Sequence, residues 1–176
     1  MEEEIKKTSE DIYAATDFSD DETNEDDLKN AEFIDITPKE IKLSDTKDEK
    51  LSRFYNDDDK LVAERIIEKK SGKIVEIKYN PLGQKELVMV RDKDKTLRKT
   101  TDYHANGVIQ MVTDFERDGS YKSTVYNVDG SRQQYVVKHK DGTADAIYYD
   151  ADGKGTNVLI KFDANKEVIE KKILKD

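Results

Sequence analysis

Two imidazoles, His104 and His139, are the only histidine bases or metal ligands in the chain, and they lie 35 residues apart. Cysteine is absent, which removes thiol nucleophiles, disulfides and cysteine-ligated metals. Carboxylates are plentiful and crowd into short segments: Asp57-Asp58-Asp59, Asp92-Lys93-Asp94 and Asp150-Ala151-Asp152-Gly153. Such oxygens suit calcium, but none of these segments has the alternating acidic loop and closing Glu of an EF-hand. Turn chemistry alone accounts for them. Glycoside hydrolysis needs a carboxyl held in an apolar setting so that it keeps its proton, and no pair of acids has that setting. His104 sits beside a turn glycine and His139 closes a polar strand, so both read as surface residues. There is no glycine-rich phosphate loop and no G-x-S-x-G elbow. The residues therefore predict no catalytic site, metal or cofactor, and the chain reads as a non-enzyme.

Binding chemistry is better represented. Tyr121, Lys122, Tyr126, Arg132, Tyr135 and Lys138 fall within eighteen residues of one another. Aromatic rings interleaved with long cations suit a protein partner or a glycan, and these six are expected to share a sheet face. Nucleic acid is not expected as a partner, because a chain with a pI near 4.9 repels a phosphate backbone.

The elements that would carry these residues follow from a repeat. Glycines at 72, 83, 107, 119, 130, 142 and 153 are separated by 11, 24, 12, 11, 12 and 11 residues. The long gap is two periods, with the polar turn Asp92-Lys93-Asp94-Lys95 at its midpoint. Asp57 to Lys60 and Asp163 to Lys166 extend the frame by one period at each end, giving about ten turns. Several turns share a pattern of an aromatic, polar residues and then Asp-Gly or Asn-Gly: Tyr103 to Gly107, Phe115 to Gly119, Tyr126 to Gly130, Tyr149 to Gly153. Asp-Gly and Asn-Gly supply the positive φ of tight hairpin turns. Between turns lie strand-length runs rich in Val, Ile, Tyr and Thr. Connections this short leave no room for crossover helices. The expected fold is all-β, an antiparallel up-and-down meander of about twelve-residue strand-turn units over 55–176. Residues 61–68 fit a helix or a strand, and the phase of the repeat favours the strand.

The faces are unevenly divided. Val75, Ile77 and Tyr79 share one side of their strand, whereas Ser131 to Lys138 mixes polar and apolar residues on both. Hydrophobic residues are only 35% of the chain and charged ones 40%. An open or partly curled sheet suits this composition better than a ten-stranded barrel around a small apolar ligand.

Residues 1–50 hold 18 acidic and 7 basic residues, whereas 51–176 hold 22 and 24. High net charge with few apolar residues predicts a disordered acidic segment over 1–54. Thr37-Pro38-Lys39-Glu40 has the form of a capping box and predicts a short helix near 38–43. No apolar run approaches the ~20 residues of a membrane span, and the acidic start does not resemble a signal peptide. As it stands the chain reads as cytoplasmic; a mature secreted form given an initial Met would read the same way.

Tyr149-Asp150-Ala151-Asp152-Gly153-Lys154 and Tyr126-Asn127-Val128-Asp129-Gly130-Ser131 resemble units of YD-type and MORN-like hairpin repeats, including the YwqK-type antitoxin-component family. The resemblance spans about residues 55–170. It departs from MORN repeats in lacking Trp, and from YD repeats in lacking Gly-Arg-Leu after the aromatic. It implies a partner-binding scaffold, and more sharply an antitoxin or immunity protein whose acidic segment covers a basic toxin. It carries over no catalytic residue. The expected function is thus a non-enzymatic module that binds a protein through its sheet face, with an edge-to-edge homodimer open to it. The alternatives are the small-ligand barrel or a glycan-binding or glycan-active protein.

Overall fold

A computed structural model describes residues 40–150 and 157–174. Twelve strands run in chain order: β1 (Glu40–Asp45), β2 (Glu49–Tyr55), β3 (Leu61–Glu68), β4 (Ile74–Tyr79), β5 (Lys85–Arg91), β6 (Leu97–Tyr103), β7 (Ile109–Phe115), β8 (Tyr121–Tyr126), β9 (Arg132–Lys138), β10 (Ala144–Tyr148), β11 (Asn157–Phe162) and β12 (Val168–Leu174). They form one antiparallel sheet in which every strand pairs with its sequence neighbours, β1 and β12 lying at the two edges. This is the up-and-down meander that the repeat predicts. Residues 61–68 are strand β3, as its phase requires.

The sheet stays open, so the ten-stranded barrel is not formed. A closed barrel would join the edge strands, and here each pairs on one side only. The reason lies in composition: neither face is apolar enough to line an interior. Two strands also precede the expected boundary at residue 55. The short helix expected near 38–43 is replaced from Glu40 by β1, whose six residues pair one-to-one with β2. A capping box can start one helical turn, but a lone turn fixes several dihedrals for a single hydrogen bond. Pairing with β2 supplies a full ladder. The acidic segment over residues 1–39 and the Gly153 turn lie outside the described residues.

Eight turns share one hydrogen-bond pattern. At residues 80–84, the Asn80 N–H bonds the Gln84 carbonyl at 2.8 Å, and the Gly83 N–H bonds the Asn80 carbonyl at 2.9 Å. The fourth turn residue is left-handed, which is the type I turn closed by an αL residue. Glycine fills that seat where the repeat shows it. Asp59, Lys95 and Lys166 fill it in the other turns, with φ of 57°, 67° and 66°. Asx side chains stitch these turns. Asn80 Oδ1 accepts from the Leu82 and Gln84 N–H groups, both at 3.0 Å. Asp129 Oδ1 accepts from the Ser131 N–H at 2.8 Å and from its hydroxyl at 2.6 Å. This is why the turns are rich in Asp and Asn.

Register sorts the side chains onto two faces, because directly opposed residues in an antiparallel pair lie on the same side. On the first face, one line of registered residues holds six of the most buried side chains: Glu76, Met89, Thr113, Ser123, Ala146 and Ile160. Small residues there sink between larger neighbours, so a sheet with no second layer among the described residues still excludes water along its midline. Two of these side chains also bond each other, Thr113 Oγ1 to Ser123 Oγ at 3.0 Å. Glu76 lies between two guanidiniums, Arg65 Nη2 at 2.8 Å and Arg91 Nε at 3.3 Å.

Candidate binding face

The second face carries a different line. Ile77, Val88, Thr101, Val112, Thr124, Tyr135, Ile147 and Leu159 are successive cross-strand partners from β4 to β11. None bears a charge. At strand spacings of about 4.8 Å the stripe runs for about 34 Å. It ends at charged residues on both sides: Glu64 faces Ile77 on β3, and Lys172 faces Leu159 on β12. Ile77 and Thr101 are buried, and the other six are half-buried.

Each long border of the stripe has its own chemistry. Two residues along the strands in one direction the border opens with Val75 and Val90 and then carries Lys99, Asp114 and Lys122, and, beyond Val137, Asp145, Lys161 and Glu170, the charges alternating in sign on either side of that valine. Opposed members pair, Lys99 with Asp114 at 3.1 Å and Lys161 with Glu170 at 2.7 Å. Asp145 receives the His139 ring at 3.0 Å from the neighbouring turn. In the other direction stands a row of tyrosines, Tyr55, Tyr79, Tyr103, Tyr126 and Tyr149, all half-buried. Each closes or follows every second strand, so neighbours in the row are about 9.6 Å apart.

The row is anchored at Tyr79, whose hydroxyl donates to Glu64 Oε2. Arg53 Nε donates to Glu64 Oε1 at 2.8 Å. Burial pushes the Glu64 carboxyl up, but the Tyr79 and Arg53 hydrogen bonds outweigh it and the net shift is downward. Burial, and then the bond to Glu64, push the Tyr79 hydroxyl up to about 12. His104 Nε2 lies 3.0 Å from the Tyr126 carbonyl, and Asn106 Nδ2 donates to the Val128 carbonyl at 3.2 Å, so adjacent turns at this end are tied together.

The six residues expected to form a common surface are divided by the sheet. Lys122, Tyr126 and Tyr135 lie on the second face, on its charged border, its tyrosine row and its stripe. Tyr121 and Lys138 oppose each other on the first face. There Lys138 Nζ lies 5.9 Å from the Tyr121 ring centroid, and the Phe115 ring packs against Tyr121 with centroids 6.0 Å apart. Arg132 pairs with Tyr126 past a bulge at the end of the hairpin. The reason for the split is the strand period of two, which puts Tyr121 and Lys122 on opposite sides. The tyrosine row did leave a trace in the sequence, an aromatic before every second turn, but its side is fixed only by register.

Most turn carboxylates are occupied by their own turns. Hydrogen bonds from Ser120, Ser131 and Thr143 hold the carboxyls of Asp118, Asp129 and Asp141 below the usual range. Asp92 accepts from Arg117 and Arg98 and is lowered by both. Asp102 differs: half-buried on the first face between its cross-strand partners Leu87 and Met111, it is pushed up by desolvation. Among the described residues no three His, Asp or Glu side chains gather as a metal would require, and no helix is long and apolar enough to cross a membrane. No protein-family model matches the chain, and no curated protein matches it.

Proposed function

We propose that this protein is a non-enzymatic binding module that takes a protein partner on its second sheet face. The observation that carries the reading is the uncharged stripe from Ile77 to Leu159, unbroken across eight strands. Apolar and hydroxyl side chains in the middle, tyrosines along one border and charges of alternating sign along most of the other, from β6 to β12 with Val137 between them, follow the anatomy of a protein interface: a desolvated centre within a polar rim. The charged border alternates in sign, so it presents no continuous positive field to a polyanion and favours a partner with matching alternation. Residues 1–39 hold 14 acidic and 4 basic residues. In the antitoxin-like form of this reading they steer a basic partner toward the sheet.

A photo-crosslinking side chain placed at Tyr135 and, separately, at Gln134 tests the face. The two positions are adjacent in sequence and lie on opposite sides of β9. Capture of one protein from position 135 and not from 134 supports the reading. Equal capture from both, capture from 134 alone, or capture from neither overturns it. Removing residues 1–39 leaves all twelve strands and reduces the association rate of that partner in low salt; an unchanged rate refutes the steering role.

A further inference from the structure

We infer that the protein forms a two-fold symmetric dimer by pairing β12 with β12 of a second copy, so that the two sheets continue as one. The starting observation is the distribution of exposed apolar side chains. Of the six large hydrophobic residues that stand exposed among the described residues, three lie on this one edge strand: Val168 at 41%, Ile169 at 63% and Ile173 at 51%. β12 pairs with β11 on one side, and its other side is a sheet edge. An edge with apolar side chains and free backbone groups is a template for another strand.

Symmetry then fixes the register. Two identical antiparallel strands related by a two-fold axis must place one residue opposite itself. Centring on Glu170 opposes Glu170 to itself and puts Ile169 against Lys171. Centring on Lys172 opposes Lys172 to itself and puts Lys171 against Ile173. Centring on Lys171 sets Ile169 against Ile173 and Glu170 against Lys172, each twice. The sides agree with this choice. Lys171 and Ile173 lie on the first face, opposite Ile160 and Val158, while Glu170 and Lys172 lie on the second, opposite Lys161 and Leu159. Only the Lys171 register matches apolar with apolar and negative with positive. The regular ladder with β11 ends at Glu170, and Ile169 is the extra residue of the bulge before the Phe162–Val168 pair, so the pairing is a short one, and Lys171 facing itself weakens it. Because the two-fold axis stands perpendicular to the sheet, the second faces of both copies point the same way.

Light scattering on the full chain across a concentration series tests the inference. The wild type is expected to move with concentration from the 20.3 kDa chain to twice that mass and no further. Glu170→Lys opposes lysine to lysine and Lys172→Glu opposes glutamate to glutamate, so each variant alone is expected to stay monomeric with an unchanged far-UV spectrum. Mixed in equal amounts, the two variants restore both opposite-charge pairs and are expected to form a heterodimer. Lys171→Thr is expected to lower the dissociation constant several-fold. If a charge variant loses the fold, Ile169→Thr replaces it and is expected to weaken the dimer at least tenfold. A wild type monomeric at every concentration, growth beyond a dimer, or variants that do not recombine would each overturn the inference.

Discussion

Arg91 Nε lies 3.3 Å from Glu76 Oε2, with both side chains more than nine-tenths buried on a sheet that has no second layer among the described residues. Arg65 approaches the other carboxylate oxygen. Removing one partner from a buried ion pair leaves an uncompensated charge, which costs about 3–5 kcal/mol. Glu76→Ala is therefore expected to be among the most destabilising single changes in the protein. Glu76→Leu combined with Arg91→Met is expected to cost less than the sum of the two alone. A double-mutant cycle by urea unfolding measures the difference; simple additivity would show that the two groups are not coupled.

The left-handed seats make a second prediction. Lys95→Gly and Lys166→Gly relieve side chains held at φ of 67° and 66°, and each is expected to stabilise by about 0.5–1 kcal/mol. The gains should add, since the turns are well separated. The reverse change, Gly119→Ala, is expected to cost about 1 kcal/mol from backbone strain alone, because a Cβ there meets nothing within 4 Å. Gly72→Ala should cost more, because its Cβ would fall 2.7 Å from Lys93 Cβ. Thermal melts of the four variants rank them.

Alkaline titration isolates the tyrosine anchor. The Tyr79 hydroxyl is raised from 10.0 to about 12 in the folded chain. A group with a raised folded pKa adds stability that is complete below its unfolded pKa and is lost as pH rises through the folded one. Stability should therefore fall between about pH 10 and 12, and Tyr79→Phe should flatten that part of the profile. A wild-type profile that stays level there would contradict the bond to Glu64.

Acid titration should show two opposing contributions. Asp118, Asp129 and Asp141 have lowered folded pKa values, so what they add is present above the unfolded carboxylate range and is lost as pH falls through the folded values. Asp102 is raised by desolvation, so its contribution has the opposite sign and is lost as pH rises through its folded pKa. Asp102→Asn is thus expected to raise stability at pH 7 and to lose that advantage in strong acid. A variant less stable than wild type at pH 7 would mean that the carboxylate is held by a favourable contact.

Nine of the ten turns spaced by the repeat lie among the described residues and fall between consecutive strands from β2 to β12, including those at Asp59, Lys95 and Lys166, where phase alone marked the seat. The sequence hid β1 and β2 for a physical reason. Their connecting turn, Thr46 to Asp48, contains no glycine, and their lysines, glutamates and aspartate dilute the strand signal. Strand pairing outweighs both local preference and composition there. The stripe, the Glu76 triad and the division of Tyr121 from Tyr135 depend on register across several hairpins. Alternation along a single strand is legible in sequence; which residue meets which on the next strand is set by bulges such as those at Lys78–Tyr79 and Asp102–Tyr103.

Every substantial contact between strands joins consecutive ones. No substantial contact joins β4 to β9, so the sheet is built like a tape and not like a knot. Excising one whole pair of hairpin units in phase would rejoin matching faces and shorten the stripe by two strand widths. Length in this protein is a quantity that insertion and loss of paired units can change without a new design for the rest.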